Sequence, residues 1–282
     1  MILIADSGST KTEWRVIDGD GNVSQIRTSG INPYYQEENA IAGILEAELD
    51  DHLGLPVEKV FFYGAGCSTQ ESRDKVANCF ATLMPGAECE VSTDMLAAAR
   101  SLCGHQPGIA CILGTGSNSC LYDGVSIVEN VPSLGYILGD EGSGSYLGNR
   151  LLGHFIRKEL PTAILAKMDK RFELSRPVIL ENVYQKPAPA RYMAGFSKFI
   201  FQNISDPFLY KMVYDGFMLF FEKNIMKYTD YKKEQVHFTG SVAFYYTNIL
   251  RKVAADLGIN VKHIVEGPIA GLTLYHQKQL NK

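Results

Sequence analysis

The chain opens with an apolar run, a polar turn and an alternating segment. Residues 2–5 are apolar, and the turn around Gly8 is rich in serine and threonine. Over residues 13–18, Trp14 and Val16 alternate with charged side chains. A short apolar run and an alternation of this kind are both typical of β-strands. The pattern therefore predicts a strand, a tight turn and a second strand.

The same pattern recurs in the middle of the chain. Residues 109–113 are apolar, residues 114–119 form a second turn of small polar residues and glycine, and residues 120–124 predict another strand. Two hairpins of one kind indicate two related halves. Such turns can present backbone N–H groups and small hydroxyls to a phosphate. We interpret both turns as candidate phosphate sites, with an ordinary hairpin and a polar turn as the alternative.

The first turn differs from a Walker-A loop, because no glycine precedes Gly8 and the segment that follows is a strand. Gly8 permits a positive φ, and Ser9 and Thr10 have short side chains, so a phosphate could approach the backbone. Asp6 ends the apolar run, where its carboxylate could face a magnesium ion.

The remaining pattern predicts an α/β protein. Helical periodicity covers residues 37–53, 72–84, 95–102, 146–160 and 244–257. Apolar runs predict further strands over residues 23–28, 59–63, 87–91, 126–131, 235–238 and 260–265. Residues 161–231 predict mainly helices, broken at Pro177, Pro187, Pro189 and Pro207. The aromatic stripe over residues 208–228 indicates core or a dimer surface, so a homodimer is the oligomeric state we expect.

Length and composition describe a globular protein with room for two domains. The chain has 282 residues, of which 46% are hydrophobic and 21% charged. Its formal net charge of −4 offers no basic surface for nucleic acid. Six cysteines without Cys-x-x-Cys spacing predict reduced thiols, and the short apolar run before Asp6 lacks the basic start of a secretory signal. We expect a cytoplasmic protein without a membrane segment.

Two strings in the second half resemble a known family. Gly114-Thr115-Gly116-Ser117-Asn118, followed by Gly139-Asp140-Glu141-Gly142-Ser143, resembles the N-acetylglucosamine kinase branch of the BadF/BadG/BcrA/BcrD ATPases. The resemblance implies two ribonuclease H-like, actin-type ATPase domains with a nucleotide cleft between them. These would be residues 1–107, with the last helix, 268–282, packing back on them, and residues 108–267.

The resemblance also implies an activity and its residues. It implies an ATP- and Mg²⁺-dependent kinase that phosphorylates a hydroxyl of an amino sugar, N-acetylglucosamine or a close relative. The implied ATP-binding residues are Gly8, Ser9, Thr10, Lys11, Thr115, Gly116, Ser117, Gly240 and Ser241. The implied sugar-binding residues are Asn32, Asp94, Gly135, Asp140 and Glu141, with Asp94 as general base and Asp6 near the metal.

Each of these residues also has a structural interpretation. Asp94 precedes an alanine-rich helix and could be its N-cap. Asn32 precedes a proline and could belong to a turn. Asp140 and Glu141 could be the acidic first turn of a helix. The glycines around them indicate that something comes close to the backbone. One departure stands out, since Leu134-Gly135 occupies the place of the Trp-Gly of animal-type N-acetylglucosamine kinases.

Two other functions fit the same fold. The first is an ATPase that gates electron transfer to a radical dehydratase, as BadF-like activators do with an iron–sulfur cluster held by cysteines. The second is a non-catalytic sugar or nucleotide sensor. The cysteines here lack a convincing ligand arrangement, and Gly-Asp-Glu-Gly-Ser suits an acceptor that carries hydroxyls.

Overall fold

The computed structural model describes residues 1–8, 11–49, 52–53 and 56–280. The chain forms two compact units, Met1–His105 with Pro268–Lys282, and Gln106–Gly267. The chain leaves the first unit after His105, where the sequence predicts a boundary after residue 107.

The first unit contains one five-stranded mixed sheet and four described helices. The strands are β1 (Ile2–Ser7), β2 (Lys11–Ile17), β3 (Val23–Ser29), β4 (Lys59–Gly64) and β5 (Glu88–Thr93). The helices are α1 (Glu38–Glu48), α2 (Gln70–Leu83), α3 (Asp94–Cys103) and, from the end of the chain, α13 (Ile269–Leu280). The strand order is β3-β2-β1-β4-β5, in which β1, β4 and β5 are parallel and the two hairpins are antiparallel.

Side chains on the two faces of β1 enter different cores, which explains its continuous apolar run. Leu3 and Ala5 pack with α1 and α2, whereas Ile4 packs with α3 and α13. The first core includes an aromatic cluster of Trp14, Phe62 and Phe80, with ring centroids about 6 Å apart. The middle of the sheet is therefore covered on both sides, and on β1 the polar residues Asp6 and Ser7 lie at the strand end.

The second unit contains another five-stranded sheet and a larger set of helices. The strands are β6 (Gly108–Leu113), β7 (Ser117–Tyr122), β8 (Ile127–Glu129), β9 (Val236–Thr239) and β10 (Val261–Val265). The helices are α4 (Gly135–Leu138), α5 (Gly144–Ile156), α6 (Thr162–Arg171), α7 (Arg176–Tyr184), α8 (Pro189–Ala194), α9 (Ser197–Gln202), α10 (Pro207–Lys223), α11 (Ser241–Tyr245) and α12 (Thr247–Asp256), with a 3₁₀ turn at Ile225–Lys227.

The two sheets share one topology. The second has the order β8-β7-β6-β9-β10, so each unit is an antiparallel β-meander of three strands extended by two parallel strands. This confirms the repeat that the two hairpins predict. The predicted strands all occur, with bounds that differ by a few residues.

The predicted helix over residues 244–257 is wrong in its bounds and its continuity. A helix begins at Ser241 and ends at Tyr245, and a second begins at Thr247. Tyr246 between them is buried, and its hydroxyl donates to the Ser197 carbonyl at 2.7 Å. The break therefore coincides with a buried tertiary contact. The helix predicted over residues 146–160 is shorter, since α5 ends at Ile156.

The aromatic stripe of α10 belongs to the core. Phe217, Phe220 and Phe221 are fully buried among the other helices and β9 of the second unit. The expectation of a homodimer came from this stripe and stays a prediction. None of the described helices has the length and apolar character needed to cross a bilayer.

Helix α13 crosses α3 closely because Gly271 has no side chain. A Cβ at position 271 would lie 2.6 Å from the Ser101 carbonyl oxygen, too close for two packed helices. The small residues at the start of this helix predict such a crossing. Helix α13 therefore packs directly against the helix that begins at Asp94.

We predict that Gly271→Ala lowers the free energy of unfolding by about 1–3 kcal/mol through overpacking. The matched control is Gly43→Ala on α1, where an added Cβ meets nothing within 4 Å. That change should raise stability by about 0.5–1 kcal/mol, because alanine is the better helix former. Urea unfolding of both variants measures the difference. Equal effects at the two positions would contradict the close crossing.

Candidate active site

Asp6 and Asp94 lie at the carboxyl ends of parallel strands in the first unit. Asp6 on β1 is opposite Tyr63 on β4, which is opposite Ser92 on β5. Asp94 follows Ser92 by two positions and begins α3. In open α/β sheets, ligands bind outside the carboxyl ends of such strands. The fold thus brings together two acids that are distant in sequence.

Thr93, not Asp94, is the N-cap of α3. The Thr93 side chain accepts a hydrogen bond from the Leu96 N–H at 3.2 Å, and Thr93 has the extended backbone of a cap residue. Asp94 is the first residue with helical backbone. The structural interpretation of Asp94 as the cap is therefore wrong, although its carboxylate also accepts bonds from the backbone N–H groups of Met95 and Asp94 in this first turn.

Both carboxyl groups resist ionisation. Burial raises the pKa of Asp94 to about 6. Burial, and then the negative charge of Asp94, raises the pKa of Asp6 to about 7. The charge of Lys11 lowers the pKa of Asp6, but it does not offset the effect of burial on these two neighbouring acids. A buried pair of this kind suits a cation or a proton-transfer step.

A buried polar network holds α3 on the sheet. Arg100 of α3 donates to the Tyr63 hydroxyl at 2.6 Å and to Glu90 at 2.5 Å. The Tyr63 hydroxyl also bonds His276 of α13, at 2.8 Å. Tyr63 therefore ties α3 and α13 to the strand next to Asp6. This network fixes the direction of the helix at whose start Asp94 lies.

The first turn uses its own polar groups more than predicted. The Gly8 N–H donates to the Lys11 carbonyl at 3.0 Å, and Gly8 does not adopt a positive φ. The expectation that Gly8 uses its conformational freedom is therefore wrong. The Lys11 ammonium pairs with Glu13 at 2.8 Å. Ser9 and Thr10, also predicted to bind phosphate, lie outside the described residues.

Asn32 lies in a loop anchored to the end of β1. The Ser7 hydroxyl donates to the Ile31 carbonyl at 2.9 Å and accepts from the Ile31 N–H at 3.0 Å. The Asn32 side-chain oxygen accepts from the Tyr34 N–H at 3.1 Å, as in an Asx turn. The turn role is thus present, and it places a buried amide beside the carboxyl end of β1, the strand that contains Asp6.

The second turn is clamped by the glycine-rich string. The N–H of Gly144 donates to the Gly114 carbonyl at 2.8 Å, and the N–H of Ser145 donates to the Thr115 carbonyl at 3.0 Å. The N-terminus of α5 therefore grips the turn through its otherwise unpaired amides. Ser143 caps the same helix by accepting from the Tyr146 N–H. Two motifs that are separate in sequence form one structure.

Asp140 belongs to this clamp. Its carboxylate accepts from the Ser117 N–H at 3.1 Å, and its side chain lies against Gly116, where a Cβ would be 2.9 Å from its Oδ2. Burial raises the pKa of Asp140. Its φ of 56° is strained for a residue other than glycine. Asp140 precedes the cap of α5, so its interpretation as a first-turn residue is wrong.

The glycines of the string are explained in part by protein contacts. Gly142 packs against Phe217 and Phe220, where a side chain would come within 3.1–3.2 Å of both. Gly135 begins α4, and Glu141 is partly buried beside the clamp. Leu134, in the Trp-Gly position, is 59% exposed. Its side chain therefore does not fill the core of the unit.

A cavity of about 580 Å³ lies wholly within the second unit. This second-unit cavity is lined by Gly114 and Thr115 of the clamped turn, by Gly144, by residues of α8 and α9, and by Ser241, Val242, Tyr245 and Tyr246. Its size is that of a typical small-molecule pocket. The structure therefore brings the second turn and Ser241 together on one cavity, although the chain separates them by more than a hundred residues.

Gly240 is required by the packing of the protein and does not line the cavity. Its φ is +114°, and a side chain would collide with the Leu113 carbonyl at the end of β6. Its N–H donates to the Val265 carbonyl. Gly240 thus lets α11 start close to the second turn, and Ser241 lines the cavity in its place.

Arg191 and Lys198 also line the cavity, and no motif in the sequence predicts them as ligand contacts. Both are exposed, and within the ranges that the structure describes neither forms an ion pair. Arg191 lies on α8 and Lys198 on α9. The sequence pattern predicts mainly helices in this region and no ligand contacts. Two uncompensated cations beside a phosphate-type turn favour an anionic ligand.

The paired topology and the clamped turn define an actin-like ATPase fold, the class that also contains sugar kinases. Residues 5–206 match the BadF/BadG/BcrA/BcrD ATPase family. The chain belongs to this family, which confirms the resemblance of the two strings and implies the use of ATP.

Solved structures agree with this assignment. A proposed N-acetylglucosamine kinase from Porphyromonas gingivalis is 41% identical, with a TM-score of 0.94 over 99% of this chain and 100% of that chain. A proposed N-acetylglucosamine kinase from Chromobacterium violaceum is 20% identical, with a TM-score of 0.70 over 97% and 98%. A ROK hexokinase from Thermus thermophilus is 13% identical, with a TM-score of 0.52 over 99% of both chains. The last two show the fold alone. No curated relative matches the chain.

We predict that Thr93→Ala costs about 1 kcal/mol of stability through loss of the cap, whereas Asp94→Asn costs nothing at pH 7. The pKa of Asp94 rises from 3.8 to about 6 on folding, so ionisation destabilises the fold as pH rises through this window. At pH 7 the neutral amide removes that cost. Urea unfolding with EDTA present measures both.

Thr69→Ala is the matched control for this pair, because Thr69 caps α2 in the same way. Its loss should equal that of Thr93→Ala. If Asp94→Asn lowers the free energy of unfolding as much as the two threonine variants do, Asp94 also caps the helix.

We predict that Lys198→Met weakens ADP binding about threefold to tenfold at low salt, because the cavity loses one unpaired cation. The difference should shrink as salt screens the remaining charges. Calorimetric titration at two salt concentrations measures it. Lys170→Met, on exposed α6 and away from the cavity, is the control and should bind like wild type. An equal loss in both variants would show a general effect of net charge.

Proposed function

We propose that this protein is an ATP-dependent kinase that transfers the γ-phosphate to a hydroxyl of an amino sugar, N-acetylglucosamine or a close relative. The sugar comes from the name of the 41% identical protein of P. gingivalis, which covers the whole chain. Asp94 is the proposed general base. It takes the proton of the attacking hydroxyl while that oxygen bonds to the γ-phosphorus and ADP leaves.

One observation supports this role above the others. Asp94 lies at the carboxyl end of a parallel strand, is released from capping by Thr93, and belongs to a helix that Arg100 and Tyr63 hold in place. The backbone N–H groups of Met95 and Asp94 hold the Asp94 carboxylate in place, and because Thr93 supplies the cap the carboxylate is available for chemistry. Its raised pKa, about 6, brings it nearer to neutral pH, where a general base works best.

The first unit also offers a fitting place for magnesium. Asp6 provides carboxylate oxygens, the donors that Mg²⁺ prefers, in a buried place beside Asp94. Within the described residues no group of three or more acidic, histidine or cysteine side chains forms a cage. This fits an ion held by one or two carboxylates and by substrate phosphates. Bound at Asp6, it would offset the charge of the transferred phosphoryl group.

The nucleotide is proposed to occupy the second-unit cavity. Thr115 and Ser241 line it, and Lys198 and Arg191 supply positive charge. Ser117 and Gly116 complete the turn, whose shape depends on Asp140. Gly8 and Lys11 are proposed phosphate contacts in the first unit, together with Ser9 and Thr10.

The acceptor is proposed to contact Asn32 in the first unit and Asp140, Glu141 and Gly135 in the second. For Asp140 the structural role is already established by its bond to Ser117. Its second carboxylate oxygen can accept a bond from a sugar hydroxyl at the same time. Leu134 offers an aliphatic surface where an aromatic wall would favour the N-acetyl group.

The activator function of other family members finds less support. A cluster shared between subunits needs cysteines that reach the protein surface. Here Cys67, Cys79, Cys103, Cys111 and Cys120 are buried and Cys89 is half-buried. Burial raises the pKa of the Cys89 thiol to about 12, which opposes the thiolate that iron requires. These thiols do not fit a shared cluster.

We predict that Asp94→Asn folds and binds ADP but loses sugar phosphorylation by several orders of magnitude, since the base is gone. Coupled release of ADP, measured over a panel of amino sugars and their N-acetyl forms, identifies the acceptor with wild type. The same assay then measures the variant. Calorimetric titration with ADP establishes that its nucleotide site is intact.

Asp74→Asn is the control for this experiment, because Asp74 is exposed on α2 and lies outside the proposed site. It should phosphorylate the sugar at the wild-type rate. Near wild-type turnover by Asp94→Asn would remove Asp94 from the base role. ATP hydrolysis without phosphorylation of any sugar in the panel would contradict the kinase.

A further inference from the structure

Two exposed aromatic side chains on the cavity wall have no part in the proposed chemistry. Phe201, on α9, is 38% exposed, and Tyr245, at the end of α11, is 51% exposed. Their ring centroids lie 5.6 Å apart at an angle of 58°. Large apolar groups left open beside a cavity indicate a ligand surface.

Both rings are held in place from behind. Phe201 meets the ring of Tyr246 edge-on at 5.5 Å, and Tyr246 is buried and bonded to the Ser197 carbonyl. The Tyr245 hydroxyl donates to Glu266 at 3.4 Å, and its ring packs on Phe244. A ligand therefore meets a surface that is already formed, which lowers the entropy cost of binding.

The spacing of the rings decides how a flat ligand can bind. A planar group between two parallel rings needs centroids about 7 Å apart, two van der Waals separations of about 3.5 Å. At 5.6 Å and 58° no group fits between Phe201 and Tyr245. A base can stack on the open face of one ring while the edge of the other borders it.

We propose that Phe201 and Tyr245 hold the nucleotide base by stacking, so that the site accepts adenine and guanine nucleotides with little discrimination. The inference rests on the proposed place of the nucleotide in the second-unit cavity. In this arrangement Arg191, Lys198 and Thr115 contact the phosphates of the nucleotide. The rings of Phe201 and Tyr245 contact its base. Stacking depends little on which base is bound, because every base has a π-face.

The polar side chains of the cavity are poorly suited to distinguish the two bases. Adenine carries an amino donor where guanine carries a carbonyl acceptor, so discrimination needs a fixed partner there. Arg191 and Lys198 only donate, and the proposal assigns both to the phosphates. The hydroxyls of Thr115, Ser197 and Ser241 can either donate or accept, so they can pair with adenine or with guanine. The side-chain oxygen of Gln202, the one amide side chain among the described lining residues, already accepts from Arg171. The acceptor that would select adenine is therefore engaged within the protein.

Calorimetric titration of the full chain with ADP, GDP and tripolyphosphate tests the proposal without any sugar. We expect wild type to bind ADP and GDP within about fivefold of each other. Phe201→Leu should weaken both by about tenfold to a hundredfold, the usual range for loss of one base–aromatic stack, and leave tripolyphosphate unchanged. Tyr245→Leu tests the other ring independently, and circular dichroism checks the fold of each variant.

Tyr184→Leu is the matched control, because Tyr184 is an exposed tyrosine of the same unit that does not line the cavity. It should bind all three ligands like wild type. GDP binding more than a hundredfold weaker than ADP binding would overturn base tolerance. Unchanged ADP binding in both aromatic variants, or equal loss of tripolyphosphate, would overturn stacking.

The outcome separates this inference from the kinase function. A protein that binds ADP and GDP through these rings but phosphorylates no sugar would contradict the kinase and support the inference. If the protein phosphorylates a sugar but its affinity for nucleotides is unchanged by substitution of Phe201 and Tyr245, the kinase function is supported and the inference is contradicted.

Discussion

The site depends on a sheet that is covered on both faces. In the first unit, β1 and β4 contribute side chains to two separate cores, so their backbone groups must pair with neighbouring strands and their interior positions must be apolar. Polar chemistry can then appear only where a strand ends. Asp6 and Asp94 are at such ends. Burial raises the pKa values of both acids, and for Asp6 it outweighs the opposing charge of Lys11.

The second unit repeats the topology, but here the main feature is the turn after β6, which is held by hydrogen bonds from other segments. Its turn after β6 is gripped by the amides of Gly144 and Ser145 and by the carboxylate of Asp140. A helix N-terminus has unpaired N–H groups, and here carbonyls of the turn satisfy two of them. The turn is consequently rigid, with Thr115 on the cavity wall. The strain of Asp140 at φ 56° is sustained because the clamp holds it on several sides.

Much of the fold follows from local pattern, and the errors have identifiable causes. The strands are predicted because apolar runs and turn residues coincide. The break at Tyr246 is not, because it coincides with a buried side chain bonded to Ser197, a contact between distant segments that local pattern does not show. Sequence distinguishes poorly between adjacent polar residues at a helix start, so it offered Asp94 as a cap where Thr93 serves. Arg191, Lys198 and Phe201 are invisible to motif reasoning because only the packing of α8 and α9 brings them to the turn.

The glycines show why motif and structure must be weighed together. Glycine-rich strings near phosphate turns invite a ligand-based explanation, yet Gly142 is small because phenylalanines of α10 pack on it and Gly240 because it meets the Leu113 carbonyl. These glycines bring protein segments close enough to build a site rather than forming its surface. Six exposed side chains line the cavity beside these glycines, and the packing of the protein does not explain their exposure. They are Arg191, Lys198, Thr115, Ser241, Phe201 and Tyr245. An unexplained exposed side chain is therefore a better guide to ligand contact in this protein than a glycine.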